Sequence, residues 1–307
     1  MDKVSVVITT YKRSAKLLKN AIDAAVKQTY LDTEIVVVDD NNNRELSNEI
    51  QACLSEYAGR VEYLGYEGNH GACYARNFGA DATKGKYIAF LDDDDIWYPN
   101  KLEKQVECLK SGCYSMVGCN SYHVVVDSEW KELKRVLDIR TRNNEISMEE
   151  LLNKNVVGGC SFPLITREAF YNAGKFTVGM PASQDYDLWI RIRKIGKICH
   201  VQEPLLDYYI HQEACITHDP TKKIESYHYL IQKYSSLAEN ENAFRANKYY
   251  DLSDVCFISM DFKNGWKYLK KGYAEKPGLS SFKRVVLGIK TCCKGHVKKI
   301  LKHKYQT

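Results

Sequence analysis

Four consecutive aspartates, Asp92 to Asp95, stand directly behind the apolar run Tyr87-Ile88-Ala89-Phe90-Leu91. Like charges side by side repel one another and resist burial, so a core strand that ends in them calls for a cation or a substrate to offset the cost. A divalent metal is the natural offset. Asp supplies hard oxygen ligands that suit Mg²⁺ or Mn²⁺, and Mg²⁺ is commonly held by one or two carboxylates together with the phosphates of its substrate. That chemistry points to a nucleotide. The competing reading is a solvated acidic turn, or aspartates capping the helix that Pro99 opens. Two further polar clusters follow apolar runs: Thr9-Thr10-Tyr11-Lys12-Arg13 after Val4 to Ile8, and Asp39-Asp40-Asn41-Asn42-Asn43 after Glu34 to Val38.

The elements that must position these clusters follow from periodicity. Leu17, Leu18, Ala21, Ile22 and Ala25 fall at helical spacing, which predicts a helix over about 15–28 with Ser14 placed to cap it. Leu46, Ile50, Cys53 and Leu54 share one face of a second helix. A third strand, Val61 to Tyr66, leads through Glu67-Gly68-Asn69-His70-Gly71 into a helix ending near Thr83, and the fourth strand carries the aspartates. Apolar strands alternating with amphipathic helices predict an α/β fold with a doubly wound, mostly parallel sheet. Ligands bind outside the carboxyl ends of such strands, so three polar strand ends converge on one crevice.

Beyond Asp95 the alternation is less regular. The pattern predicts a helix from Pro99 to about Leu109, a strand from Tyr114 to Val126, a charged connection, and a short helix around Ser147 to Leu152. Gly158-Gly159-Cys160-Ser161-Phe162 then precedes another strand, and a helix runs from about Gln184 to Lys194. After His218-Asp219-Pro220 only helical patterns follow, which places a boundary near residue 220.

The 307 residues carry a formal charge of +5 and contain no apolar stretch of about 18 residues that would span a bilayer. The strand-like start leaves no room for a secretory signal, so a cytoplasmic protein is expected. Eleven cysteines are scattered without paired CxxC spacing, which fits reduced thiols rather than zinc or a redox centre. Charge is concentrated at one end. From Lys283 to Lys304 there are many Lys and Arg and no acid, arranged around an apolar stripe of Val285, Val286, Ile289, Val297 and Ile300. Such a helix suits an anionic membrane surface, the alternative being a helix docked on the protein or a solvated tail. No recognised module accompanies the charge to indicate nucleic acid.

The succession Val6-Val7-Ile8-Thr9-Thr10-Tyr11-Lys12-Arg13, Glu34 to Asp40, Asn69-His70-Gly71 with Ala75-Arg76-Asn77-Phe78-Gly79, and Gly85 to Asp95 resembles glycosyltransferase family 2. The resemblance covers about residues 1 to 217. It implies a GT-A type fold, which with the boundary near 220 spans 1–220; the helical patterns beyond it read as an appendage over 221–281, followed by the basic tail over 282–307. It also implies a nucleotide-sugar donor, a divalent cofactor (Mn²⁺ or Mg²⁺) and transfer with inversion. By position it assigns Thr9 and Tyr11 to the nucleoside and Asp40 to the uracil imide N–H, which an ionised acceptor binds strongly. Helix capping is the alternative for Asp39 and Asp40. Arg76 faces the diphosphate or serves as a counter-ion to the aspartates. The family's Asp-any-Asp motif falls on Asp92 and Asp94, with Asp94 as metal ligand and Asp93 or Asp92 near the ribose. Asp95 is the weakest candidate and is read as a cap for the next helix.

Ser183-Gln184-Asp185-Tyr186-Asp187-Leu188-Trp189 resembles the acceptor-side segment of the family. It makes Asp185 the base that takes the acceptor hydroxyl's proton. Asp187 points off that face and is read as structural. Trp189 is core or a wall of the sugar site. His211, closing Pro204 to His211, completes the metal's coordination in this reading, Ile216-Thr217-His218 belongs to a loop over the donor, and Gly158 to Ser161 lets the acceptor approach.

The expected function is therefore a metal-dependent inverting glycosyltransferase that moves a sugar, from UDP by preference, to a hydroxyl of a glycan or lipid-linked saccharide. Bacterial surface polysaccharide synthesis at the inner membrane face is the setting the resemblance implies. Two rivals stand beside it. A nucleotidyltransferase shares the sheet and acidic site but would carry a glycine-rich phosphate loop, and Thr9 to Ser14 has no glycine. A non-catalytic nucleotide-sugar-binding scaffold is the other, and retention of both Asp94 and Asp185 argues against it.

Overall fold

A computed structural model of the chain describes residues 2–211 and 220–277, the side chain of His211 excepted. The loop Ile216-Thr217-His218 and the tail 282–307 lie outside the described residues. The chain divides into two compact units, the second made of Pro181–Ser183 and the chain from Ala214 on.

The first unit opens with β1 (Val4–Thr10), α1 (Ala15–Val26), β2 (Thr33–Asp39), α2 (Arg44–Leu54), β3 (Val61–Gly65), α3 (Ala72–Ala82) and β4 (Tyr87–Asp92). The four strands are parallel in the order β3-β2-β1-β4. β1 and β4 are buried along almost their whole length, as strands covered on both faces must be. Gly79 lets α3 lie close against the sheet: a Cβ there would come within 2.4 Å of Val7 Cγ1 and 2.8 Å of Val38 Cγ2. Asn43 caps α2 by accepting from Glu45 and Leu46 N–H. Ser14 stands at the N-cap of α1 but its side chain makes no capping hydrogen bond, so that expectation holds in position and not in chemistry.

The chain then adds β5 (Ile96–Trp97), α4 (Lys101–Lys110), β6 (Tyr114–Val126), β7 (Glu132–Asp138), β8 (Glu145–Ile146), α5 (Met148–Asn153), β9 (Leu164–Thr166), α6 (Arg167–Asn172), α7 (Gln184–Ile195) and β10 (Lys197–His211). The sheet continues from β4 through β9, β6 and β10 to β5. Here it is mixed: β6 and β10 are parallel, while β9, β5, β7 and β8 pair antiparallel with their neighbours. The parallel arrangement expected from the sequence thus describes the first four strands. β7 lies within the connection where no strand was expected, because an exposed edge strand shows no period-two burial to read.

The second unit holds α8 (Pro220–Tyr234), α9 (Glu241–Ile258) and α10 (Phe262–Glu275). α9 and α10 pack through Ala246, Tyr250, Phe257 and Leu269. Among the described residues no helix is long and apolar enough to cross a membrane.

Candidate active site

Register brings the polar strand ends together. Thr9 of β1 lies opposite Asp92 of β4, and Thr10 lies opposite Asp39 of β2. At Asp92 the chain turns, with Asp95 N–H donating to Asp92 C=O at 3.1 Å. The turn sorts the four carboxylates by alternation. Asp93 and Asp95 are buried, at 8% and 1% exposure, whereas the side chains of Asp92 and Asp94 keep 28% and 20%.

Each aspartate has a distinct surrounding. Asp92 accepts from Arg76 Nη2 at 2.6 Å, and its own N–H donates to Ser161 Oγ at 3.0 Å. Asp93 accepts from Thr10 Oγ1 at 2.7 Å and stands 3.4 Å from Arg13 Nε. Burial and the adjacent Asp94 push its carboxyl up to about 7, with Thr10 and Arg13 pulling against them. Asp94 accepts from Arg13 Nη2 at 2.6 Å. Asp95 accepts from Tyr209 N–H at 3.2 Å, and burial together with the charges of Asp94 and Asp92 holds it well above the usual carboxylate range. Asp95 is not a helix cap: α4 begins at Lys101 behind Asn100, and Asp95 is packed inward before β5. Two arginines therefore offset part of the acidic charge from within the chain. The sequence reading named Arg76 and missed Arg13, which lies 81 residues from Asp94 in sequence and meets the aspartates only through the pairing of β1 with β4.

The loop after β2 is organised around Asp40. Its Oδ1 accepts from Tyr66 Oη at 2.7 Å and His70 N–H at 2.9 Å, and its Oδ2 from Asn69 Nδ2 at 2.7 Å and Gly71 N–H at 3.0 Å. A carboxylate offers about four acceptor positions, and all four are taken. Gly71 supplies the φ of +85° that turns its N–H inward ahead of α3. Asp39 accepts from Asn41 and from Tyr63 Oη. Thr9 is half-buried at the strand end and Tyr11 is 42% exposed on the rim.

The opposite side of the crevice comes from α7 and the loop before β9. Asp185, in the first turn of α7, accepts from Asn155 Nδ2 at 3.3 Å. Burial pushes its carboxyl up, while Tyr186 N–H and the charge of Arg76 pull it down and Asp92 pushes it up again. Asp185 thus lies within electrostatic reach of the Arg76–Asp92 pair. Asp187 is fully buried and bound by Arg191 and Thr177, a structural role as expected. Trp189 is core: it is fully buried and donates from Nε1 to Gly158 C=O at 2.9 Å. Gln184 donates to Met180 C=O.

Three groups on this side carried little sequence signal. Ser161 ties the two halves of the crevice, since its Oγ receives Asp92 N–H and its C=O receives Trp97 Nε1 at 2.8 Å. Asn155 steadies Asp185 and is itself held through its C=O by Arg140. Tyr208 packs in tilted geometry with ring centroids 5.5 Å from Phe162 and 5.4 Å from His123, and its hydroxyl is pushed up by burial and by the surrounding charges of Asp95, Asp92, Asp185 and Asp94. His211 closes β10, but its side chain lies outside the described residues.

The donor set fits a hard divalent cation, with Asp92 and Asp94 presenting carboxylate oxygens at the mouth of the crevice. Among the described residues no group of three acidic, His or Cys side chains is placed to hold a metal unaided. A metal here would draw further ligands from a substrate, as Mg²⁺ commonly does.

The model of glycosyl transferase family 2 matches residues 5–174. The chain belongs to glycosyl transferase family 2. Its fold is of GT-A type. An uncharacterised glycosyltransferase of Rickettsia bellii is 33% identical over 222 residues, 68% of this chain and 30% of that protein. One of Rickettsia prowazekii is 30% identical over 268 residues, 86% of this chain and 81% of the relative. The chain thus spans about a third of the length of several relatives and most of others. Among solved structures, Staphylococcus aureus TarS 1-349 in complex with UDP-GlcNAc superposes with a TM-score of 0.63 at 15% identity, over 93% of this chain and 79% of that 1-349 chain. The mannosyltransferase PcManGT of Pyrobaculum calidifontis, in complex with GDP-Man and Mn²⁺, superposes with a TM-score of 0.57 at 14% identity, over 93% of this chain and 79% of that one.

Proposed function

We propose that this family 2 glycosyltransferase moves a sugar from a nucleotide-sugar donor to an acceptor hydroxyl with inversion, and that the donor is a UDP-sugar. The observation that carries this is a second carboxylate within electrostatic reach of the aspartate turn. Asp92 and Asp94 keep partial exposure at the strand end, Asp92 opposite Thr9, and Asp185 in the first turn of α7 feels the charges of Asp92 and Arg76. The nucleotide-sugar complexes of TarS and PcManGT, built on the same fold, support the donor class.

In this reading Asp92 and Asp94, with the donor's diphosphate, would hold a bound Mn²⁺ or Mg²⁺, which neutralises charge developing on the leaving nucleoside diphosphate. Arg76 and Arg13 stabilise the same region by fixed positive charge. Asp93 orders the turn through Thr10, within reach of a ribose. Asp185 accepts the acceptor hydroxyl's proton as that oxygen attacks the anomeric carbon, and its raised pKa makes it a stronger base near neutrality. Tyr11 packs on the nucleoside from the rim. A uracil N–H reaches Asp40 only by displacing one of its four donors, of which Tyr66 Oη and Asn69 Nδ2 are side-chain groups that can turn and the other two are backbone N–H. His211 is retained as a further metal ligand. The basic segment 282–307 supports peripheral contact with an anionic membrane and a lipid-linked acceptor, as in assembly of a bacterial surface glycan.

The test separates the two carboxylate sets. Calorimetry with a panel of nucleotide sugars and Mn²⁺ is expected to show that Asp94→Asn loses metal-dependent donor binding. Asp185→Asn should keep donor binding while transfer falls about 10²- to 10⁴-fold, the usual contribution of a general base. Near-normal transfer by Asp185→Asn would remove the base assignment.

A further inference from the structure

Toward the opposite end of β10 from Tyr208 and Tyr209, two thiols meet between a helix and a strand. Cys108 lies in the last turn of α4 and Cys199 near the start of β10, 91 residues apart in sequence, yet their sulfurs are 2.8 Å apart. That is closer than two unbonded sulfurs normally pack. Cys108 is half-buried and open to a small reagent, whereas Cys199 is buried beneath it, with its Sγ 3.7 Å from Met116 C=O. No feature of the transfer reaction uses either group.

We propose that Cys108 and Cys199 form a thiol–disulfide exchange site that takes low-molecular-weight disulfides, with Cys108 the attacking and Cys199 the resolving sulfur. The hydrogen bond between them lowers the pKa of Cys108 and, with burial, raises that of Cys199, so the accessible sulfur is also the one that ionises first. In the first step the Cys108 thiolate attacks one sulfur of the external disulfide, which leaves as a thiolate, giving a mixed disulfide on Cys108. Cys199 then gives its proton to water and attacks Cys108 Sγ, expelling the second thiolate. One external disulfide is reduced to two thiols and the protein loses two hydrogens. The product staples α4 to β10, the strand whose far end carries Tyr208 and the Tyr209 N–H that binds Asp95.

The full chain is incubated with oxidised glutathione and mapped by mass spectrometry without reduction. The expected result is a cross-linked pair of peptides containing Cys108 and Cys199, formed ahead of any other pairing among the eleven cysteines. Closing so long a loop should raise the unfolding midpoint by roughly 10 °C, reversed by dithiothreitol. Cys199→Ser should stall with glutathione on Cys108, and Cys108→Ser should show neither adduct at Cys199 nor a cross-link. Absence of the wild-type cross-link, or preferential adduct formation at Cys199 in Cys108→Ser, would overturn the assignment.

Discussion

Asp40→Asn separates a carboxylate that builds a loop from one that waits for a ligand. The native side chain accepts four hydrogen bonds, two on each oxygen, all from within the chain. An amide at this position replaces one oxygen with an NH₂ group that must face two donors. Placed at Oδ1 it meets Tyr66 Oη, which can rotate and accept, and His70 N–H, which cannot. Placed at Oδ2 it meets Gly71 N–H, which again cannot turn, so either orientation strands one backbone donor. Leaving a buried donor unpaired costs about 1–3 kcal/mol, and loss of the ionic component in the other three bonds adds on the order of 0.5–1 kcal/mol each. The sum is about 2.5–6 kcal/mol. Urea unfolding of wild type and variant, followed by the fluorescence of the four tryptophans, checks it, with nucleotide-sugar binding measured on the same samples. The expected result is a markedly lower unfolding midpoint, with weakened binding as a consequence of a disordered loop. A variant within 1 kcal/mol of wild type that nonetheless lost donor binding would refute the reasoning. Asp40 would then be held in place by its neighbours without serving them, and its charge would be for the base.

Gly79→Ala places a methyl group 2.4 Å from Val7 Cγ1 in the packed face between α3 and the sheet, and overpacking of that kind costs about 1–3 kcal/mol, to be seen as a fall in denaturation midpoint. Ser161→Ala leaves the Asp92 N–H without its acceptor; about 1–3 kcal/mol of stability should be lost and Mn²⁺-dependent donor affinity should fall, while Ser161→Thr should retain part of both. His200, bonded through Nε2 to Asn120 Oδ1, is held neutral because burial and the nearby Arg140 depress its pKa to about 4 from 6.5. The unfolded chain then binds the extra proton between those values, so stability rises as pH increases from about 4 to about 6.5 and is lost on acidification, by about 3 kcal/mol in total. His200→Gln should flatten the stability curve across that window, and an unchanged slope would assign the effect elsewhere.

What the sequence made legible was set by periodicity and by local chemistry. β1, β2 and β4 announced themselves as apolar runs ending in polar clusters, and the crevice they form follows from parallel topology. Asp185 and Asp187 were separable because two residues along a helix point to different faces, and Asp187 proved fully buried against Arg191. Other features depend on contacts distant in sequence. Ser161 receives a backbone N–H from 69 residues away, and no local pattern marks a buried serine for that task. The saturation of Asp40 required the turn at Gly71 to bring His70 and Gly71 N–H onto it. Asp95 was misread as a cap because nothing in an unbroken acidic run tells which members face inward. β7 and the mixed second half of the sheet were missed for a related reason: short antiparallel strands at an edge carry too few buried positions to impose a rhythm.

The alternation within Asp92 to Asp95 constrains how this chain can diverge. Two carboxylates anchor the turn and two keep partial exposure, an order set by the turn that Asp95 N–H closes on Asp92 C=O. Replacing one aspartate by asparagine changes a single position, but inserting or deleting one residue breaks that turn and moves all four at once. It would take Asp93 off Thr10 and Asp95 off the Tyr209 N–H together. Descendants of this sequence should therefore tolerate point changes among the four positions more readily than any change in their number.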